Sequence, residues 1–131
     1  MTSSQGSVLS DPIRRIGLVL SGRSREGSMT LDRLIHLCEG RDVSLAFEPG
    51  SPGLPEGAEV LDLDRSPVDL LLALGGDGTM LRASRLAIGF GLPVFGVNAG
   101  RLGFLTTTPE KELEAGVNAV LDGQALVERR F

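Results

Sequence analysis

Between Leu70 and Thr79 the chain reads LLLALGGDGT, an apolar run that drops into Gly75-Gly76-Asp77-Gly78 and meets Thr79 before a helical pattern. Such a run is a strand, a turn stripped of side chains and a helix start. Its chemistry is anion binding: glycines let backbone N–H groups approach a phosphate closely, and the N-terminus of the following helix adds partial positive charge. Asp77 is the exception. A carboxylate repels a phosphate held at that turn. Its economical role is to accept a proton from a hydroxyl, or to hold a metal ion, while a neighbouring phosphoryl group moves. The plainer reading is an ordinary turn, since Gly and Asp both tolerate tight and left-handed conformations. Short glycine motifs carry a high false-positive risk, and on these residues alone the two readings stand level.

Pro93 to Thr106, PVFGVNAGRLGFLT, supplies a second strand and a second glycine-rich turn at Gly96, Gly100 and Gly103. Together the two segments, GGDGTMLRA over Gly75 to Ala83 and GVNAGRLGFLT over Gly96 to Thr106, resemble the NAD kinase family. The GGDG turn alone is shared with phosphofructokinases and with lipid kinases of the diacylglycerol and sphingosine type. The second segment is much more particular to NAD kinases. The likeness runs from about Ile16 to the end and is strong from Val68 to Thr106.

Carried over position by position, the resemblance implies that Asp77 is the catalytic base and that Asp77 and Gly78 contact the NAD(H) ribose. Gly75, Gly76 and Thr79 join them in the nucleotide site, with Leu81 and Arg82 lining it from the next helix. Asn98 and Gly100 belong to the same site, and Phe104 and Leu105 lie beside the adenine. The implied reaction moves the γ-phosphoryl group of ATP to the 2′-hydroxyl of the adenosine ribose of NAD, giving NADP and ADP. The glycine turn would hold phosphate oxygens, and Mg²⁺ would bridge them and screen Asp77. No cluster of carboxylates in the sequence reads as a dedicated metal site, so the ion is expected to arrive with ATP and keep much of its water.

Composition sets bounds on these readings. At 131 residues the chain suits one domain with a real core. Its net charge of −4, with scattered basic residues, argues against broad nucleic-acid binding. Met1 to Pro12 are polar and Ser-rich without the apolar core of a signal peptide, and no run approaches the roughly 20 apolar residues that span a bilayer. A cytosolic protein without membrane contact is expected. Cys38 is the lone cysteine and lies on the apolar side of a helical repeat, where a buried core residue is the stronger reading than a reactive thiol. His36 falls on the other side of that repeat, near Asp32 and Arg33, as a solvated side chain.

The elements that must position the site follow from periodicity. Arg15 to Ser21 reads as a buried strand, the repeat Leu31, Leu34, Ile35, Cys38 as a helix ending at Gly40, and Val43 to Glu48 as a second strand. Pro49 to Pro67 is rich in proline and glycine, a long flexible connection with one short strand at Val60 to Leu63. Asp69 to Leu74 is the next strand, followed by a helix from Met80 to about Ile88 with Thr79 as its N-cap. Met80, Ala83 and Ala87 should face the sheet. Arg82 and Arg85 share the other face, with Arg82 one turn from the anion site and Arg85 solvated. After the strand Pro93 to Val97, Thr108 and Pro109 should open a last helix with the stripe Leu113, Val117, Val120, Leu121, closed by Gly123.

This alternation predicts an α/β fold, an open, mostly parallel sheet with helices on both faces. Its ligands are expected beyond the carboxyl ends of the strands, where both glycine turns lie and where Arg23 and Arg25 emerge either as phosphate contacts or as idle loop residues. The expected division is a disordered segment 1–14, a nucleotide-binding domain 15–125 with the loop 49–67, and at 126–131 the start of a further β domain. By the resemblance, the chain is the phosphofructokinase-like and NAD-kinase-like N-terminal half of an enzyme, homo-oligomeric when full length. It lacks the β-rich C-terminal half and should be inactive alone. The rivals are a lipid or sugar kinase sharing the GGDG turn and a nucleotide-binding module without turnover. Phe104 is either a base platform or a core plug beneath its turn.

Overall fold

The computed structural model describes residues 7–8, 12–21, 24–51, 54, 56–98, 108–123 and 126–127. In chain order the elements are β1 (Ser7–Val8), β2 (Arg15–Leu20), α1 (Ser24–Gly40), β3 (Ser44–Phe47), β4 (Glu59–Val60) and β5 (Leu70–Gly75). They continue with α2 (Asp77–Ile88), β6 (Val94–Asn98), β7 (Thr108–Pro109), a 3₁₀ turn (Glu110–Glu112), α3 (Leu113–Leu121) and β8 (Leu126–Val127). Six strands form one sheet in the order β4-β3-β2-β5-β6-β7, and every neighbouring pair is parallel. The chain adds strands outward on one side of β2, returns, and builds outward on the other. The order therefore reverses between β2 and β5, which is where doubly wound sheets open a crevice for ligands. Apart from this sheet, β1 pairs antiparallel with β8, Ser7 opposite Val127.

The central strand β5, LLLALG, is buried at every position, as expected of a parallel strand covered on both faces. Its side chains alternate between two cores. Leu70, Leu72 and Leu74 join Ile16, Leu18, Leu34, Cys38, Val117 and Val120 under α1 and α3. Leu71 and Ala73 join Val19, Val68, Met80, Ala83 and Ala87 under α2. Gly17, in the middle of β2, is the close approach that the second core requires: a Cβ there would lie 2.7 Å from Leu71 Cδ2 and 2.9 Å from Leu61 Cδ1.

At the other end of the same two strands, the Asp69 carboxylate accepts from the backbone N–H groups of Arg14 and Arg15 at 2.8 and 3.0 Å. The Asp69 N–H donates back to the Arg15 carbonyl at 2.8 Å. This pins the β2–β5 register, Ile16 opposite Leu70, and with it the relative height of the two carboxyl ends. A one-residue slip would send every leucine of β5 to the wrong core.

Several expectations need correction. Helix α1 begins at Ser24, before the apolar repeat at Leu31. The polar Thr30 in that first stretch is buried, and its hydroxyl donates to the Glu110 carboxylate, a partner 80 residues away that local periodicity cannot reveal. The short strand of the long connection is Glu59–Val60, not Val60 to Leu63, and Leu61 beyond it turns into the core. Thr108–Pro109 do not open a helix; they extend the sheet beside β6, and a 3₁₀ turn precedes α3. The Leu113, Val117 and Val120 stripe is buried as expected, and Gly123 closes α3 with a positive φ of 72°.

Helices α1 and α3 are further joined by the Arg33–Glu114 pair, in which the guanidinium donates through Nε and Nη2. That hydrogen bonding holds the Glu114 carboxyl below the usual carboxylate range. The contribution is present above that range and lost as pH falls through it, and both groups are open enough to solvent that screening keeps it small.

Cys38 is fully buried on the inner face of α1, and the loss of hydration pushes its thiol up to about 11. The neutral thiol favours folding at any pH below the ordinary value of 9.0, and that contribution declines as pH rises through about 11. The native protein is expected to resist thiol reagents at neutral pH and to react only on unfolding. Labelling kinetics across a urea titration check this; rapid labelling without denaturant would show an accessible thiol.

Candidate functional site

The turn after β5 is built by exclusion of side chains. Gly75 ends the strand opposite Asn98 of β6, and a Cβ on it would meet Thr79 Oγ1 at 2.5 Å and Ser21 Cβ at 2.9 Å. Gly76 is extended and serves as the N-cap of α2 without a side-chain bond, its carbonyl accepting from the Met80 N–H at 3.0 Å. Thr79 is therefore not the cap. Because the chain passes from strand to helix across one residue, the helix begins at Asp77, and Thr79 is buried in its first turn against Gly75.

The other two glycines differ from Gly75 in a way that separates packing from ligand access. Neither Gly76 nor Gly78 has anything within 4 Å of an added Cβ among the described residues. Nothing among the described residues requires their side chains to be missing. What they leave open is the space in front of the α2 N-terminus, where backbone N–H groups and the helix dipole favour an anion. Asp77 stands between them, half-buried, as the first residue of the helix. An acidic residue there also stabilises the helix by roughly 0.3–1 kcal/mol, so Asp77 has a structural reason to exist beside any chemical one.

The surrounding site residues divide. Leu81 is 46 % exposed on α2 and contributes an apolar surface beside the turn. Arg82 bends back over the sheet, its Nη2 donating to the Leu20 carbonyl at 2.6 Å and pairing with Glu48 at the end of β3. Asn98 is 3 % exposed at the carboxyl end of β6, and its Nδ2 has no hydrogen-bond partner among the described residues. A buried amide donor left unpaired beside a phosphate-type turn is suited to a ligand acceptor. Gly75, Gly76, Asp77, Gly78, Thr79, Leu81, Arg82 and Asn98 are thus gathered at one edge of the sheet, at the point where the strand order reverses. Gly100, Phe104, Leu105 and Arg23 lie outside the described residues.

Glu48 is the residue that sequence reasoning missed. A glutamate closing a short strand before Pro49 carries no local signal, and only the pairing of β3 with β2 brings it to Arg82. No group of three or more His, Cys, Asp or Glu able to hold a metal occurs among the described residues, and none of their helices is long and apolar enough to cross a membrane. A shallow groove lined by Asp32, Arg33, His36, Leu37 and Glu114 lies along α1 and α3, outside the glycine edge.

An open parallel sheet with a glycine-rich turn at its switch point defines an α/β domain of the doubly wound class, with a crevice suited to an anionic ligand. The family description "ATP-NAD kinase N-terminal domain" matches residues 38–125, and the chain belongs to the NAD kinase family. An NAD kinase of Alcanivorax borkumensis is 38% identical over 128 residues, covering 95% of this chain and 43% of the relative. One of Gemmatimonas aurantiaca is 41% identical over 101 residues, covering 77% and 35%. The chain thus spans less than half the length of these relatives. The fold is also that of yeast NADH kinase, solved in complex with NADH, with a TM-score of 0.72 at 20% identity over 89% of this chain and 40% of that one.

The glycine division gives a direct test. Gly75→Ala should lower stability by about 1–3 kcal/mol, as overpacking does. Gly76→Ala and Gly78→Ala should stay within about 1 kcal/mol of the parent chain, or rise slightly for the helical Gly78. Urea titrations of the three variants measure this, and equal losses at all three would erase the distinction.

Proposed function

We propose that the chain forms the phosphate- and ribose-binding wall of an NAD kinase, transferring the γ-phosphoryl group of ATP to the 2′-hydroxyl of the adenosine ribose of NAD. The observation that carries the reading is the turn itself. Two glycines whose Cβ positions meet nothing among the described residues flank a carboxylate at a helix N-terminus, on the edge where a doubly wound sheet binds ligands. In this reading the backbone of Gly76 and Gly78 binds phosphate oxygens, and Asn98 Nδ2 donates to the nucleotide. Asp77 takes the hydroxyl proton as the phosphoryl group moves. Positioning and charge stabilisation do most of the work in such transfers.

The donor set fits a magnesium ion that travels with ATP. Asp77, a half-buried carboxylate, would be the protein group to hold such an ion, which takes only one or two protein ligands. When bound, Mg²⁺ neutralises charge on the phosphates and screens them from Asp77. Family membership supports NAD over a lipid or sugar as acceptor, and the Gly96 to Thr106 segment favours the same choice. A homo-oligomeric, cytosolic enzyme is part of this proposal.

The test is NADP formation from NAD, ATP and Mg²⁺ by the full-length protein. Asp77→Asn should lower turnover at least 10²-fold, the scale of a lost general base, with nucleotide affinity changed much less and stability altered by no more than about 1 kcal/mol. A variant keeping more than about a tenth of the turnover would leave Asp77 as a helix-start residue. NAD binding without any NADP formation by the parent protein would reduce the chain to a nucleotide-binding module.

A further inference from the structure

The Arg82 guanidinium is held at three of its five N–H groups. Nη2 donates to the Leu20 carbonyl at 2.6 Å and to Glu48 Oε1 at 3.1 Å, while Nε donates to Glu48 Oε2 at 3.2 Å. The two N–H groups of Nη1 have no protein acceptor among the described residues. The pair spans three elements. Arg82 leaves the second turn of α2, Leu20 ends β2 and Glu48 follows β3. Glu48 is itself fixed: its N–H donates to the Leu18 carbonyl at 3.2 Å, and its carbonyl accepts from the Ser51 N–H at 3.1 Å.

As a stability device this arrangement is weak. The Arg82 side chain is 44% exposed and that of Glu48 22%, and ion pairs so open to water contribute little. As part of an anion site it carries an apparent contradiction, since the Glu48 charge repels the ligand that Arg82 attracts. The contradiction disappears if what Glu48 supplies is orientation. An unrestrained arginine stem must lose its rotamer freedom when a phosphate binds, whereas one already bonded through Nε and Nη2 has lost it on folding.

We propose that Glu48 is a positioning residue of the nucleotide site. It fixes Arg82 over the carboxyl end of β2 so that Nη1 is presented, ready oriented, to the anionic part of bound NAD. The assignment rests on the nucleotide-site reading above. It adds a residue just past β3, a strand that the glycine motifs do not touch. It also makes the sign of the effect a discriminator, because removing a merely repulsive carboxylate would tighten binding.

The experiment is a double-mutant cycle on the full-length protein, reading the Kd for NAD together with the melting temperature of each variant. Glu48→Ala should weaken NAD binding about 3- to 30-fold, within the usual range of coupling between contacting residues. Glu48→Gln, which keeps an acceptor but not the charge, should fall between Glu48→Ala and the parent. In the Arg82→Ala background the Glu48→Ala change should have no further effect. Unchanged or tighter binding in Glu48→Ala overturns the proposal. So does a loss that persists without Arg82, which is what general destabilisation would produce. If Gly76→Ala and Arg82→Ala weaken NAD binding while Glu48→Ala does not, only the positioning role falls. If neither of those two matters, or the parent protein does not bind NAD, the nucleotide-site reading falls with it.

Discussion

The passage from β5 into α2 leaves no room for a side chain at Gly75, because Thr79 and Ser21 close on it from the helix and from the neighbouring strand. This one close approach sets the direction in which α2 leaves the sheet. With α2 fixed, its N-terminal N–H groups face outward past the strand ends, Asp77 becomes its first residue, and Arg82 comes within reach of Leu20 and Glu48. The apolar positions Met80, Ala83 and Ala87 then fall against Leu71, Ala73 and Val19. A small residue at the turn is thus what allows the helix to lie flat on the sheet and still present its positive end to a ligand.

The second constraint is the height of β2 against β5. Asp69 bonds the backbone at the start of β2, and the five-residue parallel register that follows brings Leu20 level with Leu74. Since the strand order reverses at this pair, their carboxyl ends border the crevice. Ser21, whose N–H donates to the Leu74 carbonyl at 3.0 Å, continues the match beyond the sheet. The edge that carries the glycine turn is therefore fixed by hydrogen bonds at the opposite edge, some six residues away along each strand.

Charge at the site is arranged with unusual economy. The helix N-terminus favours anions, and Asp77 already satisfies part of that field from within the chain. An incoming phosphate must share the field with a carboxylate, which is costly for plain binding and useful for a reaction that needs a proton acceptor next to a moving phosphoryl group. Glu48 and Arg82 repeat the pattern, an acid next to the cation that a nucleotide would seek. In both cases a carboxylate shares the positive group that a bound anion would seek.

The sequence by itself determined the longer strands, their alternation with helices and the presence of a glycine-rich turn. These signals are local: β5 is a continuous apolar run because both its faces are covered, and the GGDG segment is legible as a turn because glycine and aspartate both tolerate tight conformations. Tertiary structure decided the rest. The burial of polar Thr30 depends on its meeting Glu110, the identity of β7 on pairing beside β6, and the true first residue of α2 on the crowding of Gly75. Whether a glycine serves packing or a ligand, and which acid holds Arg82, are questions of distance between residues far apart in the chain. Local periodicity carries no such distances, and the order β4-β3-β2-β5-β6-β7, which brings Glu48, Arg82, Asp77 and Asn98 to one edge, arises only when the strands pair.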